Sequence, residues 1–153
     1  MEGVSPAPDM DAPRTPRSIL FMCRMNAVRS PMAEVLARDM LPGIYVASAG
    51  VRPGERDPFV DAVLGEVDLS LGRHVPRSLE DLEDDYFDLI VTLAPEAHHA
   101  ALELTRSMAV DVMYWPTPDP TVATGTRDQI LASYREVREF LKTLIAKRLK
   151  GPG

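Results

Sequence analysis

A single cysteine, Cys23, occurs in these 153 residues, and Arg29 follows it at a spacing of six, with Ser30 and Pro31 next. The apolar run Ile19-Leu20-Phe21-Met22 precedes it, and Met32-Ala33-Glu34-Val35-Leu36-Ala37-Arg38 follows with helical character. A loop that tightens from a strand into a helix start turns backbone N–H groups toward an anion, and the helix dipole adds positive potential there. Potential of that sign favours a thiolate over a thiol, and the thiolate is the nucleophile. An arginine fork holds two oxygens of a phosphate at once. Asn26, inside the loop, tolerates the left-handed angles that a tight anion cradle needs.

These residue types at this spacing point to covalent phosphate chemistry. Cys23 is expected to attack, and Arg29 to hold the phosphate. The cradle is expected from the backbone of Arg24, Met25, Asn26, Ala27, Val28, Arg29 and Ser30. Ser30 reads as the helix N-cap and Pro31 as the first helical residue, and the Ser30 hydroxyl is expected to steady the sulfur. A lone cysteine is otherwise most often a small buried apolar residue. The strand before it and the Ser-Pro helix start after it favour the catalytic reading.

Other chemistry-bearing residues say less by themselves. Asp119 lies in Trp115-Pro116-Thr117-Pro118-Asp119-Pro120, where flanking prolines stiffen the chain and aim the carboxylate. Such an Asp is commonly only a turn residue. His98 and His99 are adjacent on a helical stretch, so they point about 100° apart and make a poor metal pair. No metal and no cofactor is expected.

Positioning these groups requires a particular framework. Short apolar runs alternate with helical patterns, the mark of a parallel sheet with crossover helices. Strands are expected near Ser18–Cys23, Ile44–Ala47, Leu89–Leu93 and Asp111–Tyr114. Helices are expected near Pro31–Met40, Pro58–Val67, Pro95–Thr105 and Arg127–Leu149, with a short turn over Leu79–Asp84. The last helix is marked by Ile130, Leu131, Tyr134, Val137, Leu141, Leu144, Ile145 and Leu149 at helical spacing. The expected fold is a single-domain α/β chain: a four-stranded parallel sheet with helices on both faces and a phosphate-binding loop after the first strand. The domain spans 17–150, and the Pro-rich stretch 1–16 reads as a disordered tail.

A net charge of −6 and a pI near 5.0 argue against a nucleic-acid partner. No apolar run is long enough to cross a membrane, and the first residues lack the apolar segment of a secretory leader. One cysteine forms no intrachain disulfide, which suits a reducing, cytoplasmic setting. A monomer is the simplest expectation.

Cys23-x-x-Asn26-x-x-Arg29-Ser30-Pro31-Met32-Ala33-Glu34 resembles the signature of the low-molecular-weight protein-tyrosine-phosphatases and their arsenate-reductase relatives. Three more stretches match in the family's order: Val46-Ala47-Ser48-Ala49-Gly50, like its second strand and following Ser-Ala-Gly turn; Arg73-His74-Val75-Pro76-Arg77, like its His-x-x-Arg segment; and the Asp119-Pro120 loop. The resemblance covers about residues 17 to 150. It implies that Asp119 is the general acid, that His74 holds Asn26 and hence the loop, and that Ser48 supports them. The chain departs from the pattern at three places. Val28 stands where many members carry a second cysteine, Thr121 and Val122 follow Pro120 where a tyrosine is common, and Arg24-Met25 replaces the usual Leu-Gly.

The resemblance implies a phosphomonoester hydrolase, like a protein-tyrosine-phosphatase, working through phosphocysteine on a phosphorylated protein or small aryl phosphate. Inorganic phosphate or another oxyanion would be product or inhibitor. Leu89-Ile90-Val91-Thr92-Leu93-Ala94 and Gly125-Thr126 look more like the arsenate-reductase branch. Ala94, however, occupies the position of that branch's second cysteine. Arsenate reduction would therefore depend on an external thiol or glutaredoxin. A phosphate- or phosphoprotein-binding module without turnover is a further alternative, which the retained Asp119 disfavours.

Overall fold

The computed structural model describes residues 15–82 and 86–150. Most of the expected tail (1–14) and the end of the expected turn (83–84) lie outside those residues. Four strands, β1 (Ser18–Cys23), β2 (Tyr45–Gly50), β3 (Leu89–Thr92) and β4 (Asp111–Tyr114), form one parallel sheet in the order β2-β1-β3-β4. Four helices accompany them: α1 (Arg29–Met40), α2 (Pro58–Gly65), α3 (Pro95–Leu104) and α4 (Arg127–Arg148). Short 3-10 turns occupy Leu79–Asp81 and Pro120–Val122.

The period-two alternation of a strand sorts β1 onto two cores. Ile19, Phe21 and Cys23 face a larger core with Met32 and Leu36 of α1, Val63 of α2 and Leu141 and Ile145 of α4. Leu20 and Met22 face a smaller one with Ala97 and Ala101 of α3. Helices thus cover both faces, α3 on one and the other three on the opposite side. The stripe foreseen for the last helix is the buried face of α4, where Leu131, Tyr134, Val137, Leu141 and Ile145 are all buried. Each fully buried side chain of this size contributes about 1.5–3 kcal/mol. No helix among the described residues is long and apolar enough to cross a membrane.

Helix starts follow their sequence signals in two cases. Asp57 caps α2 by accepting from Phe59 N (2.8 Å), with Pro58 in the first turn. Thr126 and Gln129 form a reciprocal capping box at α4, next to Gly125 at a φ of 116°, where a side chain is strained.

Two expectations change. The Ser48–Gly50 segment is not a turn. It continues β2, pairing Phe21 with Ser48 and Cys23 with Gly50, because these small residues let the neighbouring loop lie against the strand. The first helix begins at Arg29, not Pro31, with Val28 at the cap position and no side-chain cap bond. Ser30 is inside the first turn, and its hydroxyl is engaged elsewhere.

Because every strand is parallel, all four carboxyl ends lie along one edge. The loops after Cys23, Gly50, Thr92 and Tyr114 therefore meet there. The strand order β2-β1-β3-β4 reverses its direction of winding between β1 and β3, the switch point where open α/β sheets bind ligands.

Candidate active site

The loop from Arg24 to Val28 is held by its carbonyls. Val51 N and Arg52 N donate to Arg24 O (2.9 and 3.1 Å), and Gly54 N donates to Met25 O (2.8 Å). His74 Nε2 lies 3.3 Å from Asn26 O. A carbonyl only accepts, so this contact requires a proton on Nε2. Across a planar trans peptide the N–H points opposite to the C=O. Three successive carbonyls tied to one scaffold therefore turn the N–H groups of Met25, Asn26 and Ala27 away from it. Asn26 sits at the turning point, fully buried, with a φ of 54°. Met25, at the usual Gly position, is not left-handed, so its side chain costs the loop no backbone strain.

The Asn26 side chain organises what lies beneath. Its Nδ2 donates to Ser30 Oγ (2.9 Å) and Ser48 Oγ (2.9 Å), and Arg77 N donates to its Oδ1 (3.0 Å). Ser48 Oγ in turn donates to Glu34 Oε1, whose other oxygen pairs with Arg38. A carboxylate only accepts, so the direction of the whole relay follows from Glu34. Ser48 gives its proton to Glu34 and accepts from Asn26, and Asn26 donates again to Ser30. With Asn26 donating to it, the Ser30 hydroxyl has Cys23 Sγ at 2.9 Å and Ala49 O at 3.4 Å within reach of its proton, and a thiolate at Cys23 would draw that proton to the sulfur. Ser30 N adds a second contact to the sulfur at 3.4 Å.

Cys23 opens into a cavity of about 110 Å³. Arg24, Met25, Ala27, Val28 and Arg29 line it on the loop side, and Asp119 and Thr121 close it from the loop after β4. That loop is pinned by Trp115 N to Thr92 O (2.8 Å) and Thr117 N to Leu93 O (3.1 Å). Arg29, its side chain mostly buried, donates to Thr117 O (3.2 Å) and reaches within 4.0 Å of the Asp119 carboxylate. Residues separated by 96 positions, Cys23 and Asp119, thus share one small cup.

Asp119 accepts from Thr121 N (3.0 Å) and Thr121 Oγ1 (2.6 Å). Burial pushes its carboxyl up. The Thr121 hydrogen bonds and the charges of Arg29 and Arg24 outweigh that, leaving it below the usual carboxylate range. At the rim, Arg24 pairs with Glu96 of α3 at 3.7 Å, both half exposed.

The structure brings together in the cup all the expected loop residues except Asn26 and Ser30, which lie behind it with Ser48 and His74. Sequence reasoning missed the parts played by Thr121, Glu34, Arg77 and Glu96. Glu34 carried a signal, its i,i+4 spacing to Arg38 on one helix. Thr121 carried one too, two residues after a turn Asp whose side chain accepts from the backbone. The parts of Arg77 and Glu96 are contacts between distant segments and have none. His98, judged a poor metal ligand from its spacing, meets Thr92 Oγ1 (3.0 Å) and stacks on Tyr114. No cluster of potential ligands for a metal occurs among the described residues. A larger open depression of about 640 Å³ lies by Pro16, Tyr86 and Asp111, at the amino ends of the strands and away from Cys23.

A profile of the family described as "Low molecular weight phosphotyrosine protein phosphatase" matches residues 18–150. The chain belongs to this family. Among its relatives is the low molecular weight protein-tyrosine-phosphatase Wzb of Salmonella typhi, 33% identical over 147 residues, covering 86% of this chain and 97% of that protein. Another is the glutaredoxin arsenate reductase of Synechocystis sp., 27% identical, covering 86% and 98%. Of solved structures, the YwlE arginine phosphatase from Geobacillus stearothermophilus superposes with a TM-score of 0.72 at 26% identity, covering 86% of this chain and 90% of that one. This member of the low molecular weight phosphatase family has both phosphatases and arsenate reductases among its relatives.

Proposed function

We propose that this family member is a phosphomonoester hydrolase acting through a phosphocysteine intermediate on a phosphorylated protein or small aryl phosphate. The observation that carries the reading is the Asp119 carboxylate in the same cup as Cys23, 4.0 Å from Arg29. Binding alone needs no acid there, whereas expelling an alkoxide or phenoxide does.

The steps follow from the groups present. The phosphoryl group of the substrate rests on the loop amides and on Arg29, which meet the charge of its equatorial oxygens. Cys23 Sγ attacks phosphorus, the S–P bond forms and the bond to the leaving oxygen breaks. Asp119 gives that oxygen its proton. A water, deprotonated by Asp119, then attacks phosphorus and the S–P bond breaks, releasing inorganic phosphate and the thiolate. Ser30 donates to the departing sulfur. An acid held below the usual range in the free protein must be protonated for the first step. The phosphate dianion supplies the correction, because it neutralises Arg29 and opposes a second negative charge beside it.

Arsenate reduction is the second reading, favoured by the glutaredoxin arsenate reductase among the relatives. With one cysteine in the chain, it would need an external thiol or glutaredoxin.

The deciding experiment is a pair of steady-state assays on the purified protein, with nitrophenyl phosphate and with arsenate plus glutathione and glutaredoxin. The phosphatase reading expects the first to dominate and Cys23→Ser to lose all but a trace of it. Thiol-dependent arsenate turnover faster than ester hydrolysis would reverse the assignment. A Cys23→Ser protein that kept more than a few per cent of the activity would remove Cys23 as nucleophile.

A further inference from the structure

Beyond the Asp119 loop, on the side away from Cys23, lies a second cavity of about 390 Å³. Asp119 lines both cavities, and the chain then divides between them: Thr121 lines the catalytic cup and Val122 the second groove. Most of the second surface is apolar, with Pro118 and Pro120 from the loop and Val137 and Phe140 from α4. Val122 is 76% exposed and Phe140 37%, so large apolar groups stand in water beside a catalytic mouth. Exposed apolar surface of this kind marks a contact site. Its ionisable lining is acidic, Asp119 and Glu136.

We propose that this groove receives an apolar side chain of the phosphorylated polypeptide itself, two residues away from the one that carries the phosphate. The proposal rests on the phosphatase reading above. A polypeptide whose phosphate reaches Cys23 must cross the rim, and on this side the rim is the ridge from Asp119 to Val122, where Asp119 lines both cavities. An extended chain advances about 3.3 Å per residue, and residues i and i+2 point to the same face. Two side chains about 7 Å apart then straddle the ridge, one in each cavity. The acidic lining repels an acidic residue at the second position, so the groove selects apolar over acidic neighbours.

The test measures kcat/KM of the purified full chain on phosphotyrosine peptides identical except for Leu, Ser or Asp two residues before or after the phosphotyrosine. On one of the two sides, Leu is expected to exceed Ser by roughly tenfold, the scale of a few methylenes in an apolar pocket, and Asp to fall below Ser. Phe140→Ser, and independently Val122→Ser, should erase the Leu preference while nitrophenyl phosphate hydrolysis is unchanged. Equal rates for Leu, Ser and Asp peptides on both sides, in a protein active on nitrophenyl phosphate, would overturn the groove alone. No activity on nitrophenyl phosphate would overturn the phosphatase reading and this proposal with it. Sedimentation showing a self-associated chain that Phe140→Ser dissociates would assign the groove to a second copy and overturn it too.

Discussion

The end of β2 lies so close to the Arg24–Val28 loop that a Cβ on Gly50 would come within 2.7 Å of Asn26 N and 2.8 Å of Met25 C. Both are backbone atoms, so neither can swing aside. The left-handed residue of the loop is thus seated directly on the strand, and the seat tolerates only hydrogen. Gly50→Ala should cost about 1–3 kcal/mol of stability, the usual range for overpacking. It should cost proportionally more in kcat/KM, since the loop must shift and with it the N–H groups proposed to hold the phosphate. Urea melts and nitrophenyl phosphate kinetics on the same preparation check this. Lost stability with unchanged kinetics would show that the strand, not the loop, gives way, and unchanged values in both would refute the close seat.

Asp119 should matter in proportion to the basicity of the leaving group. For poor leaving groups such as alkyl or unsubstituted phenyl phosphates, Asp119→Ala should lower kcat/KM by about 10²–10⁴-fold. For nitrophenyl phosphate, whose oxygen departs without a proton, the loss should be much smaller. A leaving-group series on parent and variant gives the two slopes. An equal loss for every ester would end the general-acid role.

Oxidation should be hard to reverse. Peroxide takes an accessible thiolate to sulfenic acid and then, if nothing traps it, to sulfinic acid. Val28 provides no sulfur at the loop position where many relatives have one, and the chain has no other cysteine. Peroxide alone is expected to inactivate the protein permanently, adding about 32 Da for the two oxygens of a sulfinic acid. Glutathione present during exposure should cap the sulfenic acid as a mixed disulfide and allow recovery on reduction. Intact mass and residual activity, with and without glutathione, decide it. Full recovery after peroxide alone would contradict the expectation.

Stability should fall in acid through one carboxylate on the far side of the molecule. Hydrogen bonds from Arg135 and then Arg138 lower Glu66 from the usual 4.5 to about 2. The unfolded chain therefore takes up the proton first, and stability rises with pH where it does so. The contribution is complete above about pH 4.5 and is lost as the pH falls through about 2. Glu66→Gln should lower the melting temperature at neutral pH and flatten its acid dependence in that window. An unaltered acid slope in the variant would show that other carboxylates carry the effect.

The sequence alone determined the strand–loop–helix around Cys23, the parallel α/β plan, the long last helix and most of the loop residues that line the cup. These are local matters: alternation, helical spacing and short-range turn chemistry are written within a dozen residues of each other. What the tertiary structure decided is every relation across the carboxyl edge of the sheet. The Ser30 hydroxyl reads locally as a cap, yet it serves the sulfur, because β1 delivers Cys23 beneath the first turn of α1 and Asn26 supplies the second partner. Ser48 and Gly50 read as a turn, yet they extend a strand, because pairing with β1 outweighs the weak strand preference of small residues. Glu34 sets the direction of the relay only because β2 brings Ser48 against α1. Asp119 looks like any turn aspartate until parallel packing returns its loop to Cys23, which places a carboxylate, a guanidinium and a sulfur around about 110 Å³ of space. A chain reports its own periodicities; which distant loops share an edge follows from strand order, and strand order is settled by burying both faces of the sheet at once.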